Sequence, residues 1–516
     1  MAPDSPSDRI PGPTPDPSAS PTSRAPGAPP TEAIREAEVI VVGAGFAGIA
    51  VGIQLRQAGI DDFVILDKAA EPGGVWRDNT YPGCACDVPS ALYSYSFAPK
   101  PDWQRVFAPQ EDIRQYLQDT ARAHGLGPHF RFGQELLEAR WCEDEARWHL
   151  RTSQGEWRAR FAVLACGPMH EPIVPDLPGL RDFPGEIFHS SAWRHDVDLR
   201  GKRVAVIGTG ASAIQFVPAI QPEVAQLTVF QRTPQWILPK ADLAIPRWAQ
   251  ALFRHLPITQ KALRAGVYAT FEALNGGMRH PALMGVVRAL ARHNIHRSIR
   301  DPEMRRCLTP DYTPGCKRIL QSNNWYPALA QPNVRLVPHG VKAVEGRRVI
   351  ASDGSAHEVD AIVLGTGFEI TAPPIADRIR GRSGQTVAER WQGSPQGYLG
   401  TMALDCPNAF LMIGPNLAVS SSAVIIIEAQ LAYIVDALKQ ARSQRLRTFE
   451  PDPAVHEAYN RSVQEALQRT VWNNGGCSSY YLDRNGRNST AWPWTTFEMR
   501  RRLSRFRAAD HKVVRS

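Results

Sequence analysis

One glycine-rich turn constrains the fold of this 516-residue chain more than any other feature. Residues 39–42 form a β-branched run that is typical of a central strand in a parallel sheet. Gly43, Gly45 and Gly48 follow at once, and a helix-like apolar segment at residues 49–55 comes after them. This order predicts a dinucleotide-binding unit. Its glycines permit a tight turn, close approach of backbone N–H groups to a pyrophosphate, and packing of the helix on the sheet.

The next strand supports the same interpretation. Residues 63–66 end at Asp67, which lies 24 residues after Gly43. A carboxylate at this place accepts hydrogen bonds from ribose hydroxyls. A plain strand–turn–helix with a solvated aspartate is the competing interpretation.

A second glycine turn follows later in the chain. The strand-like residues 203–207 lead into Gly208 and Gly210, with Ala213 in the third glycine place. The strand after it is followed by Arg232 and carries no acid there. A guanidinium can bind a 2′-phosphate that a carboxylate would repel, so we expect NADPH rather than NADH, unless Arg232 is merely a surface residue. Two such sites in one chain indicate a flavin in the first and a reducing nicotinamide in the second.

These patterns predict an α/β fold with two Rossmann-like dinucleotide-binding domains, for FAD and NADPH, and a helical insertion. Further strand-like runs at residues 162–167 and 361–367 supply the sheets, and prolines break the helical stretch between them. The predicted boundaries are a disordered extension at 1–34, the FAD-binding domain at 35–170 and 373–516 (with the C-terminal segment), the NADPH-binding domain at 171–239 and 313–372, and the helical insertion at 240–312.

Composition and charge narrow the other function classes. The net charge of +8 owes much to five arginines within residues 500–507, a pattern more typical of a solvated helix face than of a nucleic-acid contact. The eight cysteines include no C-x-x-C pair, which favours a reducing, cytoplasmic setting without a metal site. The apolar run 423–438 contains Glu428, Gln430 and Asp436, so it predicts a buried helix rather than a membrane span. The start has no signal-peptide pattern. We expect no nucleic-acid or membrane partner.

A third pattern lies between the two turns. Phe183, Gly185, His189 and Trp193 are spaced as F-x-G-x-x-x-H-x-x-x-W. This spacing resembles the fingerprint of type I Baeyer–Villiger monooxygenases, which are FAD- and NADPH-dependent flavoproteins. Residues 73–87 resemble the family's second signature, A/G-G-x-W-x-x-x-x-F/Y-P-G/M-x-x-x-D, at every fixed position. The resemblance covers the chain beyond its N-terminal extension.

The resemblance implies a defined reaction. One oxygen atom is inserted next to a ketone carbonyl through a flavin C(4a)-peroxide, which gives an ester or lactone at the expense of NADPH and O2. Arg318 carries over as the active-site arginine, and Asp87 as the carboxylate that pairs with it. A guanidinium stays protonated and does not quench the peroxide by donating a proton. Lys317 is placed to help Arg232 bind the NADPH phosphate. A structural salt bridge for Arg318 and a solvated Lys317 are the alternatives.

The fingerprint carries one departure. Arg194 stands where the family usually has Pro or Asp. His189 and Trp193 are implied to relay domain rotation, with buried packing as the alternative for His189. Trp193 favours the Baeyer–Villiger branch, because related N-hydroxylating and flavin-containing monooxygenases tend to have Phe or Tyr there. Trp492 falls in a segment that resembles the family's nicotinamide-side wall and is equally a candidate core residue.

The candidate functional residues fall into three groups. The catalytic candidates are Arg318 and Asp87, and the fingerprint is Phe183, Gly185, His189 and Trp193. The cofactor-binding candidates are Gly43, Gly45, Phe46, Ala47, Gly48, Asp67, Lys68, Gly74, Val75, Trp76, Tyr81, Asp87, Gly208, Thr209, Gly210, Ala211, Ser212, Arg232, Thr233, Lys317 and Trp492.

Other functions remain open at this point. A related flavin monooxygenase that oxygenates nitrogen or sulfur is the main alternative. A disulfide reductase would need a redox cysteine pair within residues 48–58, and that segment has no cysteine. A flavin-carrying binding module would hold FAD without oxidising NADPH. We expect a small hydrophobic ketone and O2 as substrates, whereas the particular ketone and the oligomeric state are not predicted.

Overall fold

The computed structural model describes residues 34–279, 284–419 and 421–515. The predicted disordered extension at residues 1–34 therefore lies outside the described residues, apart from Ile34.

The strands and helices are named in chain order. The strands are β1 (Arg35–Val42), β2 (Phe63–Leu66), β3 (Phe130–Arg131), β4 (Leu136–Cys142), β5 (Arg147–Thr152), β6 (Gly155–Leu164), β7 (Glu186–His189), β8 (Arg203–Ile207), β9 (Gln226–Phe230), β10 (Ile237–Leu238), β11 (Leu320–Gln321), β12 (Val334–Val337), β13 (Val341–Glu345), β14 (Arg348–Ala351), β15 (Ala356–Glu358), β16 (Ala361–Leu364), β17 (Ile379–Arg380), β18 (Ala409–Leu411), β19 (Leu446–Pro451) and β20 (His511–Arg515). The α-helices are α1 (Phe46–Gln57), α2 (Val75–Asp78), α3 (Gln110–Ala123), α4 (Ala213–Ile220), α5 (Arg247–His255), α6 (Pro257–Arg279), α7 (Met284–Ser298), α8 (Pro302–Leu308), α9 (Trp325–Leu329), α10 (Val387–Trp391), α11 (Ala423–Ser443), α12 (Pro453–Leu467), α13 (Val471–Asn474) and α14 (Thr496–Arg502).

The first sheet is built around β1. This strand lies between β6 and β2, which are both parallel to it, in the order β17-β4-β5-β6-β1-β2-β3, and β18 also pairs with β6. The predicted strand at residues 63–66 is confirmed at both ends, and the predicted run 162–167 ends at Leu164. The β-branched residues of β1 are almost fully buried: Val39 and Val41 belong to the core that contains α1 and α11, and Ile40 and Val42 belong to a second core on the other face.

The second sheet is parallel throughout. Its order is β12-β9-β8-β16-β7, so the strand that leads into the second glycine turn lies centrally, as β1 does in the first sheet. Beside it, β13, β14 and β15 form a small antiparallel sheet that the sequence patterns did not predict. The first sheet is mixed, because β5 pairs antiparallel with β4 and β6, whereas the second is parallel. The predicted α/β class with two Rossmann-like units is confirmed.

A helical region lies in the chain between strands β9 and β12 of the second sheet. Helices α5 to α8 follow β10 and precede β11, and these two short strands pair with each other. All four helices fall within the insertion predicted at residues 240–312.

The longest apolar run forms α11, and most of that helix is buried, as predicted. In the described parts of the chain, no helix combines the length and the apolar character that crossing a bilayer requires.

Candidate active site

The first glycine turn has no room for side chains. Gly43 adopts φ +107°, and a Cβ on it would lie 2.5 Å from the carbonyl oxygen of Ala165. A Cβ on Gly48 would lie 1.8 Å from the carbonyl oxygen of Gly43. Gly45 precedes α1, so the backbone of the turn opens onto the positive end of that helix. Ala47 is buried on the first turn of α1.

Asp67 lies where the second strand predicts it, directly after β2. Its carboxylate accepts hydrogen bonds from the backbone N–H groups of Ala44 at 2.7 Å and Ala69 at 2.9 Å. Arg77 comes within 3.5 Å of the same carboxylate. Asp67 is therefore fixed against the first turn, whereas Lys68 points outward and pairs with Glu171 at 3.6 Å.

The second signature folds over the first turn. A Cβ on Gly74 would lie 2.9 Å from the Cα of Gly45, and Gly74 precedes α2, which starts at Val75. Trp76 donates its indole N–H to the Tyr93 hydroxyl at 3.0 Å. Phe46 packs edge-on against the same tyrosine, with ring centroids 5.0 Å apart. The two motifs thus pack together beside the turn, although residues 73–76 follow Gly45 by 28 to 31 residues in the sequence.

The second turn repeats the geometry of the first. Gly208 adopts φ +106°, and a Cβ on it would lie 2.4 Å from the carbonyl oxygen of Gly365. Gly210 faces open space, which suits the close approach of a phosphate to its backbone. The buried Thr209 lies with its hydroxyl 3.5 Å from the carbonyl oxygen of Thr233. Ala211 is exposed, and Ser212 immediately precedes α4.

Two cations meet beyond this turn. Arg232 is exposed after β9, and burial together with the positive charge of Arg232 lowers the pKa of Lys317. Two cations that repel each other favour binding of an anion near both, since an anion removes their mutual repulsion. The prediction that these two residues belong together in space is consistent with this coupling.

Arg318 and Asp87 form a bidentate ion pair. The guanidinium donates to the carboxylate through Nε at 2.8 Å and through Nη2 at 3.0 Å. The Asp87 carboxylate raises the pKa of Arg318 despite burial. Burial would raise the pKa of Asp87, but Arg318 and Lys240 hold it below its usual value. Both groups therefore stay charged over the whole working pH range.

Three residues beside this pair were missed by the sequence patterns. Lys240 donates to the carbonyl oxygen of Cys86 at 3.1 Å and adds positive charge near Asp87. Tyr480 and Tyr481 lie close enough to Arg318 to affect its pKa, and their hydroxyls are 3.3 Å apart. The tyrosine doublet in the C-terminal segment is visible in the sequence, but nothing local links it to residue 318.

Tyr81 and Trp492 are both packed inside the protein. Tyr81 is buried against α4, which packs beside the second sheet, and its hydroxyl donates to Gln215 at 3.0 Å. Trp492 is 1 % exposed and donates its indole N–H to the carbonyl oxygen of Thr495 at 3.0 Å. Trp492 packs in the core that β1, α1 and α11 share, and its contact with a cofactor stays a prediction.

The fingerprint borders the second sheet. A Cβ on Gly185 would lie 2.3 Å from the carbonyl oxygen of Asp360, and the buried Phe183 lies directly beside it. His189 ends β7, where burial lowers its pKa and favours the neutral imidazole. Trp193 packs on Phe216 of α4 with ring centroids 5.4 Å apart. The fingerprint therefore packs against the second sheet and α4.

Arg194, the departure from the family pattern, forms a surface ion pair. Its guanidinium donates to Asp196 from Nε at 2.7 Å and from Nη2 at 2.5 Å, and lies 3.5 Å from Glu186. The next residue, His195, has its Nε2 2.9 Å from the Thr80 hydroxyl of the first half. Arg194 is therefore accommodated by local acids at the surface.

The cysteines depart from expectation. Cys316 and Cys477 form a disulfide, whereas the sequence assigned no role to any cysteine and favoured a reducing setting. The two are 161 residues apart, so no local spacing could reveal the pair. Cys316 immediately precedes Lys317 and Arg318, and the bond ties their loop to the segment that carries the two tyrosines.

One possible ligand cluster occurs among the described residues. Cys142, Glu145 and His149 offer three atoms within 4.8 Å of one another on the β4–β5 hairpin. The direct cross-strand neighbours of His149 are Arg140 and Arg158, whose charge opposes a cation. The expected lack of a metal stays a prediction.

The residues present fit the two cofactors. Both turns form backbone cradles that a single Cβ would fill, as a bound pyrophosphate requires. An acid fixed beside the first turn suits a ribose, and paired cations beyond the second suit a 2′-phosphate.

Comparison with known proteins gives the family. A flavin-binding monooxygenase-like family model matches residues 36–256. A Baeyer–Villiger monooxygenase of Streptomyces coelicolor is 49 % identical over 480 residues, which cover 92 % of each chain. One of Pseudomonas aeruginosa is 45 % identical over 490 residues, which cover 94 % of this chain and 93 % of the other.

Solved structures agree with this result. A cyclohexanone monooxygenase from Rhodococcus sp. Phi1 bound to NADP+ superposes with a TM-score of 0.83 at 28 % identity, covering 94 % of this chain and 100 % of the other. An oxidized steroid monooxygenase bound to NADP gives 0.83 at 28 % identity, covering 93 % and 100 %. With its two glycine turns, its fingerprint and these relatives, the chain belongs to the Baeyer–Villiger monooxygenases, flavin enzymes that use NADPH and O2 to insert an oxygen atom beside a ketone carbonyl.

Proposed function

We propose that Arg318 and Asp87 are the catalytic pair with which this enzyme converts a small hydrophobic ketone into an ester or lactone. The bidentate contact between them carries the proposal. Asp87 ends the signature that folds over the first turn, and Arg318 follows the lysine coupled to Arg232 beyond the second turn. A fixed cation between two nucleotide sites is well placed to act on groups that react there.

Arg318 supplies a permanent positive charge. When bound, FAD and NADPH supply hydride transfer and the activation of dioxygen. The guanidinium keeps its protons at every working pH, so it stabilises a developing negative charge on the substrate oxygen without giving up a proton. Asp87 holds the guanidinium in one orientation through two hydrogen bonds, and this fixed orientation lowers the reorganisation that the reaction would need.

Arg232 and Lys317 form the proposed phosphate site. The two cations would bind the 2′-phosphate of NADPH, and the shifted pKa of Lys317 supports this pairing. Similarly, Asp67 and the backbone of residues 43–48 would hold the FAD adenosine and pyrophosphate.

The substrate class rests on the relatives. Among the structural neighbours, one is named for cyclohexanone, which is a cyclic ketone, and another for steroids, which are much larger molecules. We assign a ketone to this enzyme on that ground.

The test compares three arginine variants of the FAD-loaded enzyme. Arg318→Ala should lower ketone oxygenation by about 100- to 1000-fold, the usual effect of removing one group that stabilises an oxyanion. Reduction of the flavin by NADPH should persist. Arg318→Lys should recover little, because an ammonium cannot make the bidentate contact. Arg306→Ala, at an exposed arginine of α8, is the matched control.

The readouts are oxygen uptake, NADPH consumption and mass-spectrometric detection of product 16 mass units heavier than the ketone. Ester formation by Arg318→Ala within twofold of the wild-type rate would refute the assignment. A panel that includes an amine and a thioether separates the ketone assignment from nitrogen or sulfur oxygenation.

A further inference from the structure

The helical insertion leaves many large apolar side chains in solvent. Among the described residues, fifteen large hydrophobic side chains are exposed, and eight of them lie between Leu243 and Leu290. The most exposed are Trp248 at 71 %, Val286 at 69 %, Leu243 at 67 % and Ile258 at 62 %. Soluble proteins rarely gather exposed apolar groups in one region unless something binds there.

Six of these eight side chains lie on α5, α6 and α7, whereas Leu243 precedes α5 and Leu256 lies between α5 and α6. Trp248 and Leu252 are four residues apart on α5 and so lie on one face of it, while Ala249 faces the protein. On α6 the large exposed apolar side chains are Ile258 and Leu263, and half of its exposed positions are alanine or glycine. A Cβ on Gly277 of α6 would lie 3.0 Å from the sulfur of Met284, so the end of α6 packs against the start of α7. We call the exposed outer face of residues 243–290 the insertion face.

The same region is strongly basic. Residues 247–300 contain nine arginines and lysines but a single acid, Glu272, so their formal charge equals the +8 of the whole chain. Glu272 is already engaged, because its carboxylate accepts hydrogen bonds from Thr496 and lies 3.8 Å from Arg279. Arg247, Arg254 and Lys261 are exposed beside the apolar positions. Acids from outside the segment lie near two of its arginines, since Arg254 is 3.9 Å from Asp102 and Arg264 is 3.7 Å from Glu428. The insertion face therefore combines apolar groups with a positive net charge that these two contacts offset only in part.

The combination of apolar groups and positive charge indicates which partner binds the insertion face. A second copy of the chain would bring the same positive charge against it, which is repulsive. An anionic lipid surface attracts the cations, and the bilayer interface takes up tryptophan and leucine side chains of a helix that lies in its plane. The expectation of no membrane partner rested on the lack of a spanning segment, and a contact in the interface needs no span.

We propose that the insertion face docks this enzyme peripherally on membranes rich in anionic lipid. Trp248 and Leu252 insert among the lipids, while Arg247, Arg254 and Lys261 contact the headgroups. The contact is independent of the active-site assignments, since none of these residues belongs to the two nucleotide turns or to the Arg318 pair.

The test uses the FAD-loaded full-length protein and vesicle flotation. Vesicles of phosphatidylglycerol and phosphatidylcholine in equal parts should carry the protein upward at 50 mM salt, and vesicles of phosphatidylcholine alone should not. Raising the salt to 500 mM should release most of it. The double variant Trp248→Ser with Leu252→Ser, and the double variant Arg247→Glu with Arg254→Glu, should each weaken binding at least tenfold.

Matched controls lie elsewhere on the surface. Val174→Ser removes an equally exposed apolar group, and Arg122→Glu with Arg461→Glu makes the same change in net charge. Both controls should bind vesicles as the wild type does, and all variants should keep FAD and oxidise NADPH at the wild-type rate, which shows that they are folded.

Three results would overturn the proposal. One is a wild-type protein that does not float with the anionic vesicles at low salt. Another is equal binding to both kinds of vesicle, or unchanged binding by the Trp248 or Arg247 double variant. The third is an oligomer, detected by light scattering, that Trp248→Ser dissociates, together with no vesicle binding by the wild type. That result would assign the face to a second copy of the chain.

Discussion

The two glycine turns have nearly the same backbone and opposite electrostatics. Gly43 and Gly208 adopt φ values within 1° of each other, and each faces a carbonyl oxygen of a neighbouring strand end at 2.5 or 2.4 Å from its missing Cβ. At the first turn the strand β2 is followed by a buried acid, Asp67, and at the second the strand β9 is followed by Arg232. We propose that the shared backbone binds the pyrophosphate at both turns and that the different charge determines which nucleotide binds.

The glycine positions and the charged position differ in how easily a substitution can change their role. The glycines answer a steric demand that admits no side chain. Arg232, in contrast, acts only through its charge, and one substitution reverses that charge. Cofactor preference should therefore be easier to alter than cofactor binding.

The largest effect should come from closing a turn. Gly208→Ala forces a positive φ on an alanine and places its Cβ against the carbonyl of Gly365. We expect the KM for NADPH to rise about 100-fold, equivalent to ~2.7 kcal/mol, with FAD retained. Gly43→Ala should instead deplete FAD, measured by flavin absorbance per protein.

The matched controls are Gly201→Ala and Gly59→Ala. Both glycines have positive φ, +68° and +71°, but a Cβ on either meets nothing within 4 Å. A loss of cofactor in these variants equal to that in Gly208→Ala and Gly43→Ala would show that the steric closure of the turns is unimportant.

The next largest effect tests the charge at the second turn. Arg232→Ala removes a charge-assisted contact to the 2′-phosphate, so the KM for NADPH should rise about 10- to 100-fold while that for NADH stays unchanged. Steady-state kinetics with both nucleotides measure the ratio. Arg335→Ala, at an exposed arginine of the adjacent strand β12, should leave the ratio at its wild-type value. Equal losses with NADPH and NADH would remove the phosphate site from Arg232.

A smaller effect is expected at the first turn. Asp67→Ala leaves the buried N–H of Ala44 without its acceptor, at a cost of about 1–3 kcal/mol. We expect roughly tenfold weaker FAD retention after gel filtration and no change in the KM for NADPH. Asp67→Asn keeps an acceptor oxygen and should recover part of the loss. An altered NADPH affinity with normal FAD content would contradict the division of labour between the turns.

The smallest effect is a pH dependence. Because burial and Arg232 lower the pKa of Lys317, this lysine loses its charge at a lower pH than an exposed lysine does. The KM for NADPH should accordingly rise a few-fold on the alkaline side, as pH increases through that lowered pKa. Lys317→Arg should remove the rise, since an arginine stays charged there. A rise of the same size in Lys317→Arg would assign it to another group.

The sequence was most informative where structure is local. Residues 63–66 form the predicted strand without error, and both turns have the predicted conformation, because the glycine spacing itself encodes the steric demand. The run 361–367 overshoots its strand by three residues, since small residues after Leu364 continue the apolar pattern into a turn. The disulfide, Lys240 and the two tyrosines escaped because only tertiary packing brings them near Arg318.

The pair of Arg318 and Asp87 is an intermediate case. The two residues are 231 positions apart, and no periodicity connects them. Their pairing came from resemblance to a family, and the hydrogen bonds agree with it. Trp492 was assigned from the resemblance of its segment, with core packing as the alternative; it lies buried in the core, and its contact with a cofactor stays a prediction.

The bond between Cys316 and Cys477 turns buffer composition into an experimental variable. Cys477 is partly accessible, so dithiothreitol added during purification can reach the sulfur and cleave the bond. The cleavage would free the backbone immediately before Lys317 and Arg318. Samples prepared with and without a thiol are therefore chemically distinct proteins, and their rate constants belong in separate series.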